Sequence, residues 1–163
     1  ISLKTRLNYG ICTYLSGKEE KALQILRGIY FSNPNDAILL FYLSLCHKKM
    51  KNFEEAENFM EGAIEMSYPD WLPEMYHHLG QIYGQQRKFP QSIEALKKSN
   101  EMDPTNAEVL FEIATTYEEY NANKTLAINY YRIYLKEAGR KGKNVNYALT
   151  RIQRIKEELF FEE

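Results

Sequence analysis

Apolar and small residues recur at intervals of three and four along most of the chain, the spacing that places side chains on one face of an α-helix. In "EMYHHLGQIYG" (74–84), such a stripe is formed by Tyr76, Leu79, Gly80 and Tyr83. The pattern predicts an all-α fold of about nine helices. The predicted helices lie near 2–15, 19–31, 35–49, 53–66, 72–86, 90–101, 105–119, 123–137 and 143–160.

Proline marks several of the predicted helix starts. Pro34 and Pro104 each precede a helical stripe and lie where a missing backbone N–H is tolerated, near the first turn. Asn33 and Asp103 are the predicted N-caps, because short polar side chains satisfy the first free N–H groups of a helix. Pro90, in "KFPQSIEAL", marks the start of a second helix in its unit.

The same punctuation indicates that the chain repeats itself. "SNPNDA" (32–37) and "MDPTNA" (102–107) share the frame Pro-x-x-Ala, and their prolines are 70 residues apart, which is two units of 34 plus two residues. A period near 34 residues is typical of solenoids built from helix pairs. The two extra residues, Trp71 and Leu72, separate the second unit from the third. We therefore expect a single repeat array over 1–163, with units at about 3–36, 37–70, 73–106 and 107–138.

The units resemble the tetratricopeptide repeat family over roughly residues 3 to 138. The third unit carries Tyr76-x2-Leu79-Gly80-x2-Tyr83, then Ser92-x3-Leu96 and Pro104, which is the family pattern with Tyr in place of Trp. The other units follow in phase, the fourth with one extra residue in its turn "YNANKT" (120–125). The resemblance implies an α-solenoid, a right-handed superhelix of antiparallel helix pairs whose first helices line a concave groove.

Small residues recur within the stripes, and the segment after the fourth unit differs from the repeats. Gly10, Ser44, Gly80 and Ala114 occupy equivalent positions, and we interpret them as sites of close helix approach. The segment 143–160 is amphipathic and is predicted to cap the solenoid with a polar outer face. Its predicted apolar stripe is Val145, Leu149, Ile152, Ile155 and Leu159. Because the chain begins with Ile1 and no cap precedes the first unit, we expect a fragment of a longer protein, or a partner over that edge.

Composition and charge narrow the classes of partner. The net charge is -1, basic and acidic residues are interleaved, and the mean hydropathy is -0.53. We therefore expect no nucleic-acid partner and no membrane insertion in this fragment. "RKGK" (140–143) is interpreted as a solvated basic linker. The compartment stays open: cytoplasmic, or periplasmic or secreted if an upstream signal peptide was removed.

The histidines, cysteines and acidic residues, which could bind a metal or act in catalysis, do not form a catalytic pattern. His77 and His78 are adjacent, whereas chelating histidine pairs on a helix are four apart, so no metal site and no cofactor is predicted. His77 is expected in the groove and His78 beside it, nearer the adjoining unit. His47 is interpreted as a hydrogen-bonded packing residue, and adjacent acids such as Glu118 and Glu119 as solvated surface. Cys12 and Cys46, at equivalent positions of two units, are predicted to be free, half-buried thiols, and no enzyme is predicted.

The groove is the candidate binding surface, on the positions that the family resemblance implies. It is expected to be apolar at the first units, basic in the second and acidic in the fourth. Exposed apolar residues there would mark an interaction site, with burial under missing upstream repeats as the alternative. The Lys and Asn clamp of carboxylate-binding relatives is absent. The candidate groove residues are Leu7, Ile11, Phe41, Leu45, Lys48, Lys49, His77, Gln81, Phe111, Thr115 and Glu118.

Two hypotheses for function follow. The first is a non-catalytic protein-interaction module that holds a peptide segment or helix of a partner in the groove, with Phe41 and Phe111 as apolar anchors. The acidic end of the partner segment would lie near Lys48 and Lys49, and its basic end near Glu118 and Glu119. The second is a structural module that forms a homo-oligomer or packs against other parts of the same chain.

Overall fold

The computed structural model describes residues 2–120 and 123–162, which form nine α-helices and two short 3-10 helices and, within these ranges, no strand. The predicted all-α solenoid is confirmed, and most predicted helix ends lie within two residues of the observed ones. The helices are α1 (Leu3–Leu15), α2 (Glu19–Tyr30), α3 (Ala37–Lys49), α4 (Phe53–Glu65), α5 (Leu72–Gln85), α6 (Phe89–Met102), α7 (Ala107–Tyr120), α8 (Lys124–Ala138) and α9 (Val145–Glu162). The 3-10 helices are Pro69–Trp71 and Gly139–Lys141.

The starts of α3 and α7 correct the predicted caps. Asp36, not Asn33, caps α3, because its carboxylate accepts a hydrogen bond from the Leu39 N–H at 3.0 Å. Asp103 instead accepts from the N–H and the hydroxyl of Thr105, which closes a turn ahead of α7. Pro34 and Pro104 therefore lie before these helices rather than within them, whereas Pro90 does lie in the first turn of α6.

Helices pack mainly against their neighbours in the chain, so the array is a series of hairpins. Small residues set the distance within a hairpin: a Cβ built on Gly80 would lie 2.6 Å from Leu96 Cγ of α6. Two buried serines tie first and second helices together. The Ser44 hydroxyl donates to the Ala56 carbonyl at 2.6 Å, and the Ser92 hydroxyl donates to the Gly80 carbonyl at 2.8 Å. The interpretation of small residues as sites of close approach is supported.

The turn after each first helix repeats with the period of the units. Gly17, Lys51 and Arg87 have φ of 71°, 63° and 60°, the left-handed conformation. They are 34 and 36 residues apart, and the longer spacing contains the two extra residues before α5. The corresponding turn of the fourth unit, where one extra residue was predicted, falls partly on 121 and 122, outside the described residues.

The core is a continuous row of apolar clusters, and α9 extends it. Ala148, Ile152 and Ile155 are buried in a cluster with residues of α7 and α8. Leu149, predicted in this stripe, is 53% exposed. The stripe passes through Ala148 instead, because the small alanine lets α9 lie close to its neighbours.

His47 and the two cysteines depart from their predicted environments. His47 is buried and stacks on Phe59 with ring centroids 5.5 Å apart. Neither of its ring nitrogens has a hydrogen-bond partner among the described residues, so the predicted hydrogen bond is wrong. Both cysteines are free as predicted, but Cys46 is fully buried and Cys12 is exposed, because the two units do not cover their first helices equally.

Candidate interaction groove

The first helices α1, α3, α5 and α7 present one shared surface, which we call the first-helix groove. Its largest cavity has a volume of about 740 Å³ and lies between α3, α5 and α7. Its lining combines apolar side chains, such as Leu45 and Leu96, with charged and amide side chains, so it can contact both apolar and polar groups of a ligand. The polar lining residues include Lys48, Lys49, His78, Gln81, Gln85, Glu112, Thr115 and Glu119.

A polar network crosses the floor of this cavity and connects three repeat units. The Lys48 ammonium on α3 donates to His78 Nδ1 at 3.0 Å and also to the Gln81 side-chain oxygen. The Gln81 amide donates to Glu112 Oε1 on α7 at 2.7 Å, and Glu112 Oε2 lies 3.1 Å from His77 Nε2. The rings of His77 and His78 stack with centroids 5.9 Å apart. The histidine pair is therefore part of a hydrogen-bonded bridge between units.

The network lies in a partly dehydrated setting that shifts the titration of its members. Burial, then Lys48 and His77, lower the pKa of His78 to about 3, so this ring is neutral near pH 7. Burial also lowers the pKa of Lys48 to about 8, although Glu112 opposes the shift. Because an ammonium has only donors, His78 accepts through Nδ1. The Lys48 ammonium is thus largely occupied by hydrogen bonds within the chain.

The apolar part of the predicted groove is mostly covered, which corrects the expectation of an exposed patch. Leu7 and Leu45 are buried, and Phe41 is only 8% exposed. The His78 ring lies 5.7 Å from the Phe41 ring, and Leu7 packs in a cluster formed by residues of α1, α2 and α3. Ile11 is half-buried and lines a smaller cavity of about 240 Å³ together with Phe41.

The acidic end of the groove is also partly neutralised. Glu118, predicted as a solvated carboxylate, accepts hydrogen bonds from Arg151 of α9 and from the Tyr131 hydroxyl at 2.7 Å. It is half-buried, whereas Glu119 is exposed. A cavity of about 510 Å³ lies here, where Tyr147 of α9 meets Phe111 edge-on at 5.5 Å.

The structure brings together most of the predicted groove residues. Lys48, Lys49, Gln81 and Thr115 line the largest cavity, and His77 lines a neighbouring one. Leu7 lines none of the described cavities. The sequence did not reveal Glu112, Trp71 or Tyr147 as groove residues, because each lines a cavity formed by several helices that are distant in sequence.

Metal-binding clusters and membrane-spanning helices are not found in the described part of the chain. Within residues 2–120 and 123–162, no group of three or more His, Cys, Asp or Glu side chains is placed to hold a metal ion. In the same ranges, none of the helices combines the length and the apolar character that crossing a membrane requires.

Comparisons with known proteins agree with this geometry. The family model described as "Tetratricopeptide repeat" matches residues 39–69 and 73–106. A mouse (Mus musculus) protein described as BBSome complex member BBS4 is 27% identical over 104 residues, covering 64% of this chain and 19% of the relative. A Bos taurus protein of the same description is 26% identical over 104 residues, covering 64% and 20%. The chain thus spans about a fifth of the length of these relatives.

Solved structures show the same fold at low sequence identity. A structure of MamA (AMB-1) has a TM-score of 0.82 at 20% identity and covers 96% of this chain and 82% of its own. The Cut9–Hcn1 hetero-tetramer of the APC/C has a TM-score of 0.80 at 19% identity, covering 95% and 30%. Pseudomonas aeruginosa pilF has a TM-score of 0.73 at 18% identity, covering 97% and 75%.

The fold and the groove define the class of protein, which is an α-solenoid built from helix hairpins. Its second and third units match the tetratricopeptide repeat model, and the predicted stripe of Tyr76, Leu79, Gly80 and Tyr83 lies within the matched residues. Tetratricopeptide repeats are typical of protein–protein interaction scaffolds, which are generally non-catalytic.

Proposed function

We propose that this chain is a non-catalytic interaction module that holds an extended segment of a partner protein in the first-helix groove. The observation that carries the proposal is a cavity of about 740 Å³ with a floor already organised by hydrogen bonds and with unneutralised charges on its rim. A floor held in place before binding loses little side-chain entropy when a ligand docks, which favours affinity.

The rim charges favour one orientation of the bound segment. Lys49 on α3 and Glu119 on α7 are both exposed and line the same cavity. A partner with an acidic residue near Lys49 and a basic residue near Glu119 would meet complementary charges, and the reversed segment would meet like charges. Lys48 and Glu118, which we first expected in these roles, contribute less because Gln81 and Arg151 occupy them.

Phe41 and Phe111 would serve as walls rather than as exposed anchors. Phe41 lines the smaller cavity on the α1–α3–α5 side, and Phe111 lines the cavity beside Tyr147. Replacing Phe41 by Ala would cost about 3–5 kcal/mol of folding stability, because the ring is buried. Loss of binding in that variant would therefore not distinguish contact from unfolding, and exposed residues are the better test.

Selected peptides test the proposal directly. A random-peptide phage library is panned on the protein, and the recovered peptides are synthesised with a fluorophore and titrated by anisotropy. Lys49→Glu and Glu119→Lys should each weaken binding about fivefold or more, since each replaces attraction by repulsion. Lys21→Glu and Glu101→Lys are matched controls: these residues are exposed on α2 and α6 and line none of the described cavities. Failure to recover peptides, or equal binding by groove and control variants, would refute the proposal.

Self-association is the second candidate, and one observation favours it. Phe160 and Phe161 are both exposed near the end of α9, where adjacent aromatic rings in water favour contact with another surface. Light scattering across a wide concentration range measures the molar mass. Growth of mass with concentration that is lost in Phe160→Ser/Phe161→Ser would support this role. A concentration-independent monomer would count against it.

A further inference from the structure

The two residues that break the repeat period, Trp71 and Leu72, lie at the junction between α4 and α5. They extend the connection between α4 and α5, which carries the 3-10 helix Pro69–Trp71. Trp71, the single tryptophan of the chain, is thereby placed at a cavity of about 240 Å³ between α1, α3 and α5. The cavity is lined by Ile11, Ile38, Phe41, Tyr42, Trp71, Glu74 and Met75.

The walls and the size of this cavity suit one apolar side chain. Met75 and Phe41 are buried, while Trp71 is 41% exposed. Part of the Trp71 side chain is therefore accessible to an apolar group that enters the cavity. Pockets for drug-sized ligands have volumes of about 300–1,000 Å³, so a volume of 240 Å³ is too small for such a ligand. It is sufficient for the end of a leucine, methionine or phenylalanine side chain.

The polar rim of the cavity is acidic. The Glu74 side chain is 70% exposed, and its carboxylate oxygen lies 3.8 Å from Nε2 of His78. His78 does not neutralise it, because burial and the nearby Lys48 lower the pKa of that histidine to about 3. Burial and then the Glu74 carboxylate raise the pKa of Tyr42, which places this charge near the hydroxyl of the lining tyrosine. Asp70, also exposed, precedes Trp71 in the 3-10 helix.

We propose that this cavity, which we call the Trp71 pocket, is a specificity pocket for a partner segment carrying a bulky apolar residue directly beside a lysine or arginine. The apolar side chain fills the space against Phe41 and Met75, and the neighbouring cation pairs with Glu74. The inference rests on the proposed function and deepens it, because His78 lines the largest cavity and lies beside Glu74, so that one segment can occupy both places.

Trp71 provides the signal for the test, since its emission is the intrinsic tryptophan fluorescence of the whole chain. Three blocked octapeptides are titrated against the wild-type protein: Gly-Ser-Gly-Leu-Arg-Gly-Ser-Gly, the same peptide with Glu for Arg, and the same with Ser for Leu. The Leu-Arg peptide should shift the emission to the blue and saturate. The Leu-Glu peptide should bind about fivefold more weakly or worse, and the Ser-Arg peptide should leave the emission unchanged.

Variants distinguish the role of the Glu74 charge in peptide selection from an effect on the fold. Glu74→Gln should abolish the preference for Arg over Glu while the leucine peptides still shift the emission, because Glu74 is exposed and its replacement leaves the apolar walls intact. Glu101→Lys, on α6, should behave as wild type. No saturable shift, equal binding of the Leu-Arg and Leu-Glu peptides, or an unchanged preference in Glu74→Gln overturns the proposal. An emission shift that follows protein concentration without peptide identifies a second copy as the occupant and also overturns it.

The two proposals fail in different ways. If the Trp71 pocket does not select its peptide, phage-selected peptides can still depend on Lys49 and Glu119. If the groove proposal fails, that dependence is lost, while the Trp71 signal still reports on the short peptides.

Discussion

The close approach of α5 and α6 at Gly80 gives the sharpest test of how this fold is packed. A Cβ at position 80 would lie 2.6 Å from Leu96 Cγ, 2.8 Å from Leu96 Cδ2 and 3.3 Å from the Leu96 backbone nitrogen. Leu96 is almost fully buried, so its side chain has little room to turn away. Gly80→Ala must therefore move the two helices apart or force the leucine out of its rotamer.

Opposing effects decide the magnitude. Alanine in a helix is more favourable than glycine by about 1 kcal/mol, since glycine has more backbone freedom to lose on folding. Overpacking a close-packed core costs about 1–3 kcal/mol. We expect the clash to exceed the propensity gain, so that Gly80→Ala lowers the free energy of unfolding by up to about 2 kcal/mol.

Gly62 provides a matched control within α4. A Cβ there would lie 3.4 Å from Leu40 Cδ1, which is ordinary van der Waals contact. Gly62→Ala should then show the propensity gain alone and raise the free energy of unfolding by about 0.5–1 kcal/mol. Urea denaturation followed by circular dichroism measures both variants, and the two changes should have opposite signs.

A double-mutant cycle attributes the loss to Leu96. Leu96→Ala by itself should cost about 2–5 kcal/mol, because it leaves a cavity. In that background, Gly80→Ala no longer meets Cγ or Cδ2, and its cost should disappear. A Gly80→Ala variant that is as stable as wild type, or that costs as much without Leu96, would refute the packing reasoning.

Other predictions concern cysteine reactivity, pH and two local contacts. Iodoacetamide should modify Cys12 alone in the folded protein, because Cys46 is buried and burial raises its pKa to about 12; two adducts by mass spectrometry without denaturant would contradict this. Burial lowers the folded-state pKa values of His47 and His78, so below about pH 6.5 the unfolded chain binds protons first. The free energy of unfolding should be level from there up to about pH 8, near which Lys48 begins to lose its proton in the folded chain. Below about pH 6.5 it should fall by at most about 1.4 kcal/mol per pH unit for each histidine. His78→Gln should flatten the decline, and urea titrations that show no loss of stability in acid would oppose the assignment. Arg151→Met should destabilise the fold by about 1–3 kcal/mol, because Glu118 then loses its cationic partner in a half-buried contact. The exposed control Arg154→Met should change stability by less than about 0.5 kcal/mol. Equal shifts of the melting temperature in the two variants would count against the pairing. Lys51→Gly and Arg87→Gly should each stabilise by up to about 1 kcal/mol, since both residues have positive φ, and a loss in denaturation midpoint would be inconsistent with that conformation.

The sequence by itself determined the repeat and the helices that build it. The stripe Tyr76, Leu79, Gly80 and Tyr83 identified the packing face of α5, and the spacing of the Pro-x-x-Ala frames located the units. This was possible because helical periodicity, proline punctuation and small-residue contacts are local, and each recurs within about 34 residues.

Only the tertiary structure decided which side chains remain free to meet a partner. Phe41, a candidate anchor whose exposure the sequence left open, lies against His78. Lys48 is hydrogen-bonded to Gln81, and Glu118 is hydrogen-bonded to Arg151. Each of these contacts joins residues about 30 positions or more apart, on helices of different units, and it depends on the tilt and separation of those helices. A periodic pattern identifies the face on which a residue lies. The distance between neighbouring units determines whether that face is covered.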